Sequence, residues 1–353
     1  MNLAILGAVA AASAAQATMS APAPRVELAL VAPTTHGNWI VRVTNDSPSP
    51  VRIVADLRLL SLDVTPRSSR AIHCELPADM RPEDDQDRRL LVPPGRSYAE
   101  SFDPRLFCFG DARLDAIAPG AIVEAHLGWG KSATARSHLE VAPAPGVASA
   151  FAGLGRLDAP PIAVPDEPTA APSARAAGGA ALAEPTDPDA PRLRLEGGRA
   201  VDAEGPDDAE IPVTIENRGV RPVTVRFRPE TLAFDVEGPG GSEHCPWPVP
   251  SSATTVEALT TLAPRESATI GVLLASYCHG KGLARPGLLL VRPSLETTDA
   301  AGRDVDTHAF AGHVRAATPT LLRLRHASRY QAGQQMAPAL EPVDERALRD
   351  HPQ

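Results

Sequence analysis

The chain has 353 residues and a formal charge of −9, with 43% apolar residues, only 4% aromatics and 37 prolines. That length allows about two or three domains, and the proline content favours compact units joined by extended segments over one large core. The acidic balance excludes a general nucleic-acid binder, which needs a basic face to displace phosphate counterions.

Residues 1–17, "MNLAILGAVAAASAAQA", are apolar and uncharged and end in the small-x-small triplet Ala15-Gln16-Ala17. This is the pattern of a cleaved signal peptide, although no Lys or Arg follows Met1. The run is too short and too rich in Ala for a good membrane span, and no later segment reaches spanning length. The expectation is a periplasmic or secreted chain with no transmembrane segment after signal removal.

A first domain is expected over 25–142. Its strands are predicted at Arg25–Val31, around Trp39, Val41 and Val43, at Val51 and Ile53, and at Leu60, Leu62 and Val64. Apolar residues alternate with polar ones there, the period of a strand with one buried face. Further strands are predicted at Ser97–Asp103, Ala121–Gly128 and Arg136–Val141. The stretch "NDSPSP" after Thr44 is made of turn formers. The acidic run at Glu83, Asp84, Asp85 and Asp87 lacks the order and central Gly of a calcium loop, and is read as solvated.

Half of residues 143–190 are Ala or Pro. Such a segment buries too little to offset its ordering entropy, so it is read as a disordered spacer that proline keeps extended, with docking of the short apolar piece Phe151–Leu157 on a domain as the alternative. A second domain follows over 191–316. With an offset of 172, "NWIVRVTNDSPSPVRIVADLRLLSLDV" (38–64) lies on "EIPVTIENRGVRPVTVRFRPETLAFDV" (210–236) without a gap, so that Asn45 meets Asn217 and Asp63 meets Asp235. Small gaps then bring Cys74 onto Cys245, Pro94 onto Pro264 and Cys108 onto Cys278. Agreement over about 80 residues points to a duplicated domain. The second set of strands falls at Arg192–Glu196, Ile211–Ile215, Val223–Val225, Leu232–Val236, Ser267–Leu274, Gly287–Arg292 and Thr307–Val314. Residues 317–353 are read as a loose tail, although "LLRLRHASRY" with Arg323, Arg325 and Arg329 is the best local basic patch.

About seven short strands in each half and little helical periodicity predict an all-β protein, two tandem β-sandwiches on an Ala/Pro-rich linker. A small barrel is the competing architecture. The paired stretches "VRVTNDSPSPVRI" and "VTIENRGVRPVTV" resemble bacterial extracytoplasmic immunoglobulin-like modules, in which a strand ending in Asn leads through a turn and a proline into a second strand. The resemblance implies the sandwich fold and, by analogy, adhesion, scaffolding or ligand binding.

Four cysteines allow three pairings. The duplication selects Cys74–Cys108 and Cys245–Cys278, which are 34 and 33 positions apart. Disulfides suit an exported chain, and each is expected to staple loops at one end of its sandwich, contributing about 3.5–4 kcal/mol by loop-closure arithmetic. The competing reading is metal, with His73, Cys74 and Cys108 in one half and His244, Cys245, Cys278 and His279 in the other. Adjacent residues of a strand face opposite ways, which weighs against it, and His279 stands where the first half has Phe109. His126, His138, His308 and His313 fall on predicted strands and are read as ordinary strand residues. Nucleophile-elbow, zincin, Walker and dinucleotide motifs are absent. The function expected is a non-enzymatic, cofactor-free binding or scaffolding role toward a protein or other component of the cell envelope. The competing class is a metal protein or an enzyme whose site no motif reveals.

Overall fold

The computed structural model describes residues 25–82, 89–128, 148–149, 156–166, 192–248, 259–297 and 309–327. The first half runs through β1 (Val26–Val31), β2 (Trp39–Asn45), β3 (Val51–Val54), β4 (Leu60–Thr65), β5 (Ile72–Glu75), β6 (Arg89–Val92), β7 (Ser97–Phe102), the short helix α1 (Asp111–Leu114), β8 (Ile122–Gly128), β9 (Ala148–Ser149), β10 (Arg156–Asp158) and β11 (Ile162–Ala163). Strands β1-β2-β7 form one sheet and β10-β8-β4-β5 the other, with β11 also on β8 and a small third sheet β6-β3-β9. In β1 and β2 every second residue faces inward, Leu28 opposite Val43 and Leu30 opposite Val41. They meet Leu60, Leu62, Val64, Val123, Ala125 and Leu127 of the facing sheet in one core. Each such aliphatic contributes about 1.5–3 kcal/mol on burial, so period-two patterning is the main stabiliser of the pair of sheets.

The second half repeats this order with β12 (Leu193–Gly197), β13 (Ala200–Ala203), β14 (Glu210–Asn217), β15 (Val223–Val225), β16 (Leu232–Gly238), β17 (Gly241–Pro246), β18 (Thr260–Leu262), β19 (Ser267–Leu273), β20 (Gly287–Thr297), β21 (Gly312–Arg315) and β22 (Thr320–Leu324). Its sheets are β12-β14-β19 and β13-β22-β20-β16-β17, with β21 on β20 and a separate β15-β18 pair. Ile211, Val213 and Ile215 face Phe234, Val236, Leu289 and Val291 in a second core. The protein is an all-β sandwich structure.

The asparagine at the end of the strand has a definite job in each half. Buried Asn45 donates from Nδ2 to the carbonyls of Ser49 (2.9 Å) and Val92 (2.9 Å) and accepts at Oδ1 from the N–H of Ser47 (2.9 Å). Buried Asn217 donates to Arg221 (2.8 Å) and Leu262 (3.0 Å) and accepts from Gly219 (2.9 Å). One amide thus satisfies the turn and ties it to the strand behind, which is why an Asn stands there. The backbone of the next tight turn reaches φ 68° at Gly95 in the first half and φ 64° at Arg265 in the second. The glycine adopts that left-handed conformation freely, and the arginine is strained by it.

Four expectations are corrected. The spacer 143–190 contributes β9, β10 and β11, which pair with β3 and β8. Leu157, Ala159 and Val164 are buried in the first core, so apolar residues among the prolines outweigh the segment's composition. The first sandwich therefore extends past residue 142. Likewise the second sandwich does not stop at 316: β22 lies between β13 and β20, parallel to the first and antiparallel to the second, with all five residues buried. The apolar run "TLLRL" makes a central strand of what composition marked as tail. Finally, Cys74 and Cys245 sit on strands β5 and β17 rather than in loops. The predicted strand Arg136–Val141, most of the acidic run at 82–89, His138, His308 and Arg329 lie outside the described residues.

A third cluster joins the halves. Phe109 and Leu114, from the segment between β7 and β8, pack on Leu321 with Ala200, Leu288 and Leu290 beside them. The Arg323 guanidinium covers the Phe109 ring at 4.5 Å from its centroid and donates to the Leu106 carbonyl at 3.4 Å. Around this contact Arg199 pairs with Asp115, Arg325 approaches Asp79 at 3.5 Å, and His326 lies 3.2 Å from Asp79. Asp202 binds both Arg323 and Arg325 and so holds the contact in place. Burial raises the Asp202 carboxyl, but the hydrogen bonds from Arg325 and Arg323 outweigh it and bring it down to about 2.

Candidate functional site

Cys74 is bonded to Cys108 and Cys245 to Cys278, and all four cysteines are buried. Each bond joins an edge strand to the turn after a 3-10 segment (Pro104–Leu106 and Leu274–Ser276). In the first turn Asp103 accepts from the N–H of Arg105 at 2.9 Å, capping the segment. The aromatic before the second cysteine is buried in both halves: Phe107 stands edge-on to Phe102, and Tyr277 edge-on to Phe234 and Trp247. Tyr277 donates to the Pro229 carbonyl at 2.7 Å, and burial, reinforced by Glu230, pushes its phenol pKa up. The cysteine-based ligand sets do not form, because the thiols are consumed. Among the described residues no group of three or more His, Cys, Asp and Glu is placed to hold a metal ion.

The histidines before Cys74 and Cys245 face the other way, onto the outer surface of the sheet, as strand geometry requires. There they find an aspartate directly across the ladder, His73 opposite Asp63 and His244 opposite Asp235. His73 Nδ1 lies 2.6 Å from Asp63 Oδ1, and His244 Nδ1 lies 2.8 Å from Asp235 Oδ1. The "His-Cys" dipeptide thus has two functions on two faces, a bond inside and an ion pair outside.

In the first half the pair grows into a chain across four strands. Arg156 binds Asp158 at 2.7 Å; Asp158 lies 2.7 Å from His126 Nδ1; His126 Nε2 lies 3.0 Å from Asp63. Beyond Asp63, His73 Nε2 lies 3.3 Å from Glu75, which binds Arg81 at 2.9 Å. Each ring sits between two carboxylates, so both bonds of a ring form only when both its nitrogens carry hydrogen. Burial lowers the His73 pKa, but its bonds to Asp63 and Glu75 outweigh this and raise it above the ordinary value. Burial likewise raises Asp63, and the two histidines overcome it, holding the carboxyl below the usual range. His126 is therefore a buried member of this network rather than an ordinary strand residue. The signal missed was its place on β8, opposite Asp158 on β10 and diagonal to Asp63 on β4.

The corresponding face of the second half is built differently. Asp235 is shared by His244 and by Arg315, whose Nη2 lies 2.6 Å away. Burial raises Asp235, and these two bonds bring it below the ordinary range. Glu243 accepts from the N–H groups of Gly280 (2.8 Å) and Gly282 (2.6 Å), fixing the turn after Cys278. Opposite Asp235 on β20 stands Arg292, where the first half has Glu124 opposite Asp63. These side chains line a cavity of about 490 Å³ together with Val236, Glu237, Ser242, Leu290 and Pro319.

No family model matches the sequence, and no curated protein matches it. Among solved structures, the chain aligns with a red sea bream transglutaminase at 12% identity and a TM-score of 0.18, over 85% of this chain and 31% of that one. The chain spans less than a third of that protein's length, and a likeness at this level carries no argument. No helix among the described residues is long and apolar enough to cross a membrane.

Proposed function

We propose that the protein is an exported, non-enzymatic binding or scaffolding component of the cell envelope, made of two copies of one disulfide-stapled sandwich. The observation that carries the reading is the contact through Phe109 and Arg323. It clamps one sandwich on the other and holds two differently charged outer faces in fixed relation, as a presenting scaffold requires. The recurrence of the Asn45 hydrogen bonds at Asn217 and the matching placement of both cysteine pairs support the two-copy origin. The disulfides suit an oxidising compartment, and the apolar stretch "MNLAILGAVAAASAAQA", which has the pattern of a leader, supports export.

Two measurements on material from the native cells test this. Thiol titration after denaturation without reductant should find no free thiol, and four free thiols in a cytoplasmic fraction would contradict export. The chain lacking residues 1–17, immobilised, should retain a defined partner from the envelope fraction and lose it when Phe109→His loosens the clamp. Equal retention by the variant would show that fixed presentation is not what the protein offers.

A further inference from the structure

Within the cavity on β16, β17 and β20, the charges do not all have partners. Asp235 is taken by His244 and Arg315, and Glu243 by two backbone N–H groups. Arg292 is half-buried and, among the described residues, its side chain makes no hydrogen bond or ion pair. None of its nitrogens is a fully buried, unpartnered atom, so its donors remain open to a ligand from solvent. Its planar fork fits a carboxylate or phosphate in bidentate fashion. Leu290 and Pro319 supply apolar wall beside it, and Ser242 a hydroxyl. The volume of about 490 Å³ is within the usual range of small-ligand sites.

The remaining charges narrow the ligand. Glu237 stands exposed two residues along β16 from Asp235, on the same face. With Asp235, Glu237 and Glu243 against Arg292, Arg315 and His244, the lining carries no surplus of positive charge. Any net repulsion from this lining acts on a dianion such as phosphate about twice as strongly as on a single carboxylate. The first half has Glu124 where Arg292 stands, and so has no such site.

We propose that this cavity binds one carboxylate group of a peptide, a chain terminus or an acidic side chain, with Arg292 as its bidentate partner and Leu290 and Pro319 against the adjoining aliphatic part. This rests on the binding role proposed above and names its ligand class. The probes are a short N-acetylated alanine peptide as free acid, the same peptide amidated, and inorganic phosphate, titrated into the full chain and followed by backbone amide shifts. Saturable shifts on β16, β17 and β20 with the free acid are expected, with at least tenfold weaker binding by the amide and by phosphate. Arg292→Gln should weaken the free acid at least tenfold, Arg292→Lys should weaken it less, and Glu124→Gln should change nothing. Unaltered melting of the variants guards against a folding artefact, and Arg292→Lys keeps the test valid if the glutamine variant fails to fold.

Equal binding of acid and amide, tighter binding of phosphate, no response to any probe, or full binding by Arg292→Gln would overturn the site. Retention of the envelope partner by a variant that no longer binds peptide would overturn this site while leaving the binding role standing. Failure of the wild-type chain to retain any partner, with peptide binding intact, would do the reverse.

Discussion

The stretches "LFCFG" (106–110) and "SYCHG" (276–280) occupy corresponding places, yet among the described residues only the first makes a contact between sandwiches. Both place a buried aromatic and then a bonded cysteine after a 3-10 turn. The next residue decides the outcome. Phe109 is buried against Leu114 and Leu321 under the Arg323 guanidinium, while His279 is exposed. Gly110, at φ 97°, turns the chain into α1 and so brings Leu114 to the same cluster. A common framework therefore fixes where the loop emerges, and one side chain sets whether it docks. The outer faces teach the same lesson, with Glu124 and His126 in one half where the other has Arg292 and Ser294.

The largest effect is expected from the framework itself. Replacing Cys74 and Cys108 by Ala should lower the stability of the first sandwich by about 3.5–4 kcal/mol and release the docking loop, measured by chemical denaturation of the full chain. Replacing Cys245 and Cys278 should cost the second sandwich about as much while leaving Phe109 held. Next comes the residue after the cysteine. Phe109→His should remove about 2 kcal/mol of coupling between the halves, less than the loss for an aromatic in a full core, and split a shared thermal transition into two. His279→Phe should change stability by less than about 0.5 kcal/mol, because no surface meets it.

The anchor under the contact gives an acid-side test. The Asp202 carboxyl is depressed to about 2 in the folded protein, against about 3.9 in an unfolded chain. A depressed carboxyl contributes stability that is fully present above its unfolded value and lost as pH falls through its folded value. Docking should therefore weaken as pH falls from about 4 towards about 2, and Asp202→Asn should reduce that dependence, leaving the part carried by Asp115 and Asp79, at a cost of about 1–2 kcal/mol at neutral pH. Acid titration of the interdomain contact by scattering or amide shifts measures it.

Smaller still is the turn that differs between halves. Arg265→Gly should gain about 0.5–1 kcal/mol by relieving the left-handed conformation that Gly95 adopts freely, read in the thermal midpoint. The smallest effect is at His73, whose pKa is raised in the folded protein. A raised imidazole contributes stability that is fully present below about 6.5 and lost as pH rises through its folded value. His73→Gln should flatten that alkaline loss, worth less than about 1 kcal/mol for a half-exposed pair.

Much of the framework was legible in the chain. Alternation placed β2, β3, β4 and β14 because each buries one face. The repeat paired the cysteines because it halves the choices. What escaped notice depends on contacts between distant segments. Leu157, Ile162 and Val164 alternate only across two prolines, so composition hid β10 and β11. "TLLRL" offered a short apolar run, but only its place between β13 and β20 makes it central. His126 looked ordinary because Asp63 and Asp158 are 63 and 32 residues away in sequence. Arg292 became conspicuous only once the partners of the charges around it were known.

The central claim is that one loop clamps the two sandwiches into a single body. Backbone amide relaxation of the full chain measures this most directly, by giving a rotational correlation time for each half. The account predicts one shared time in the wild-type protein and two shorter, unequal times in Phe109→His. Two independent times in the wild-type protein would contradict it.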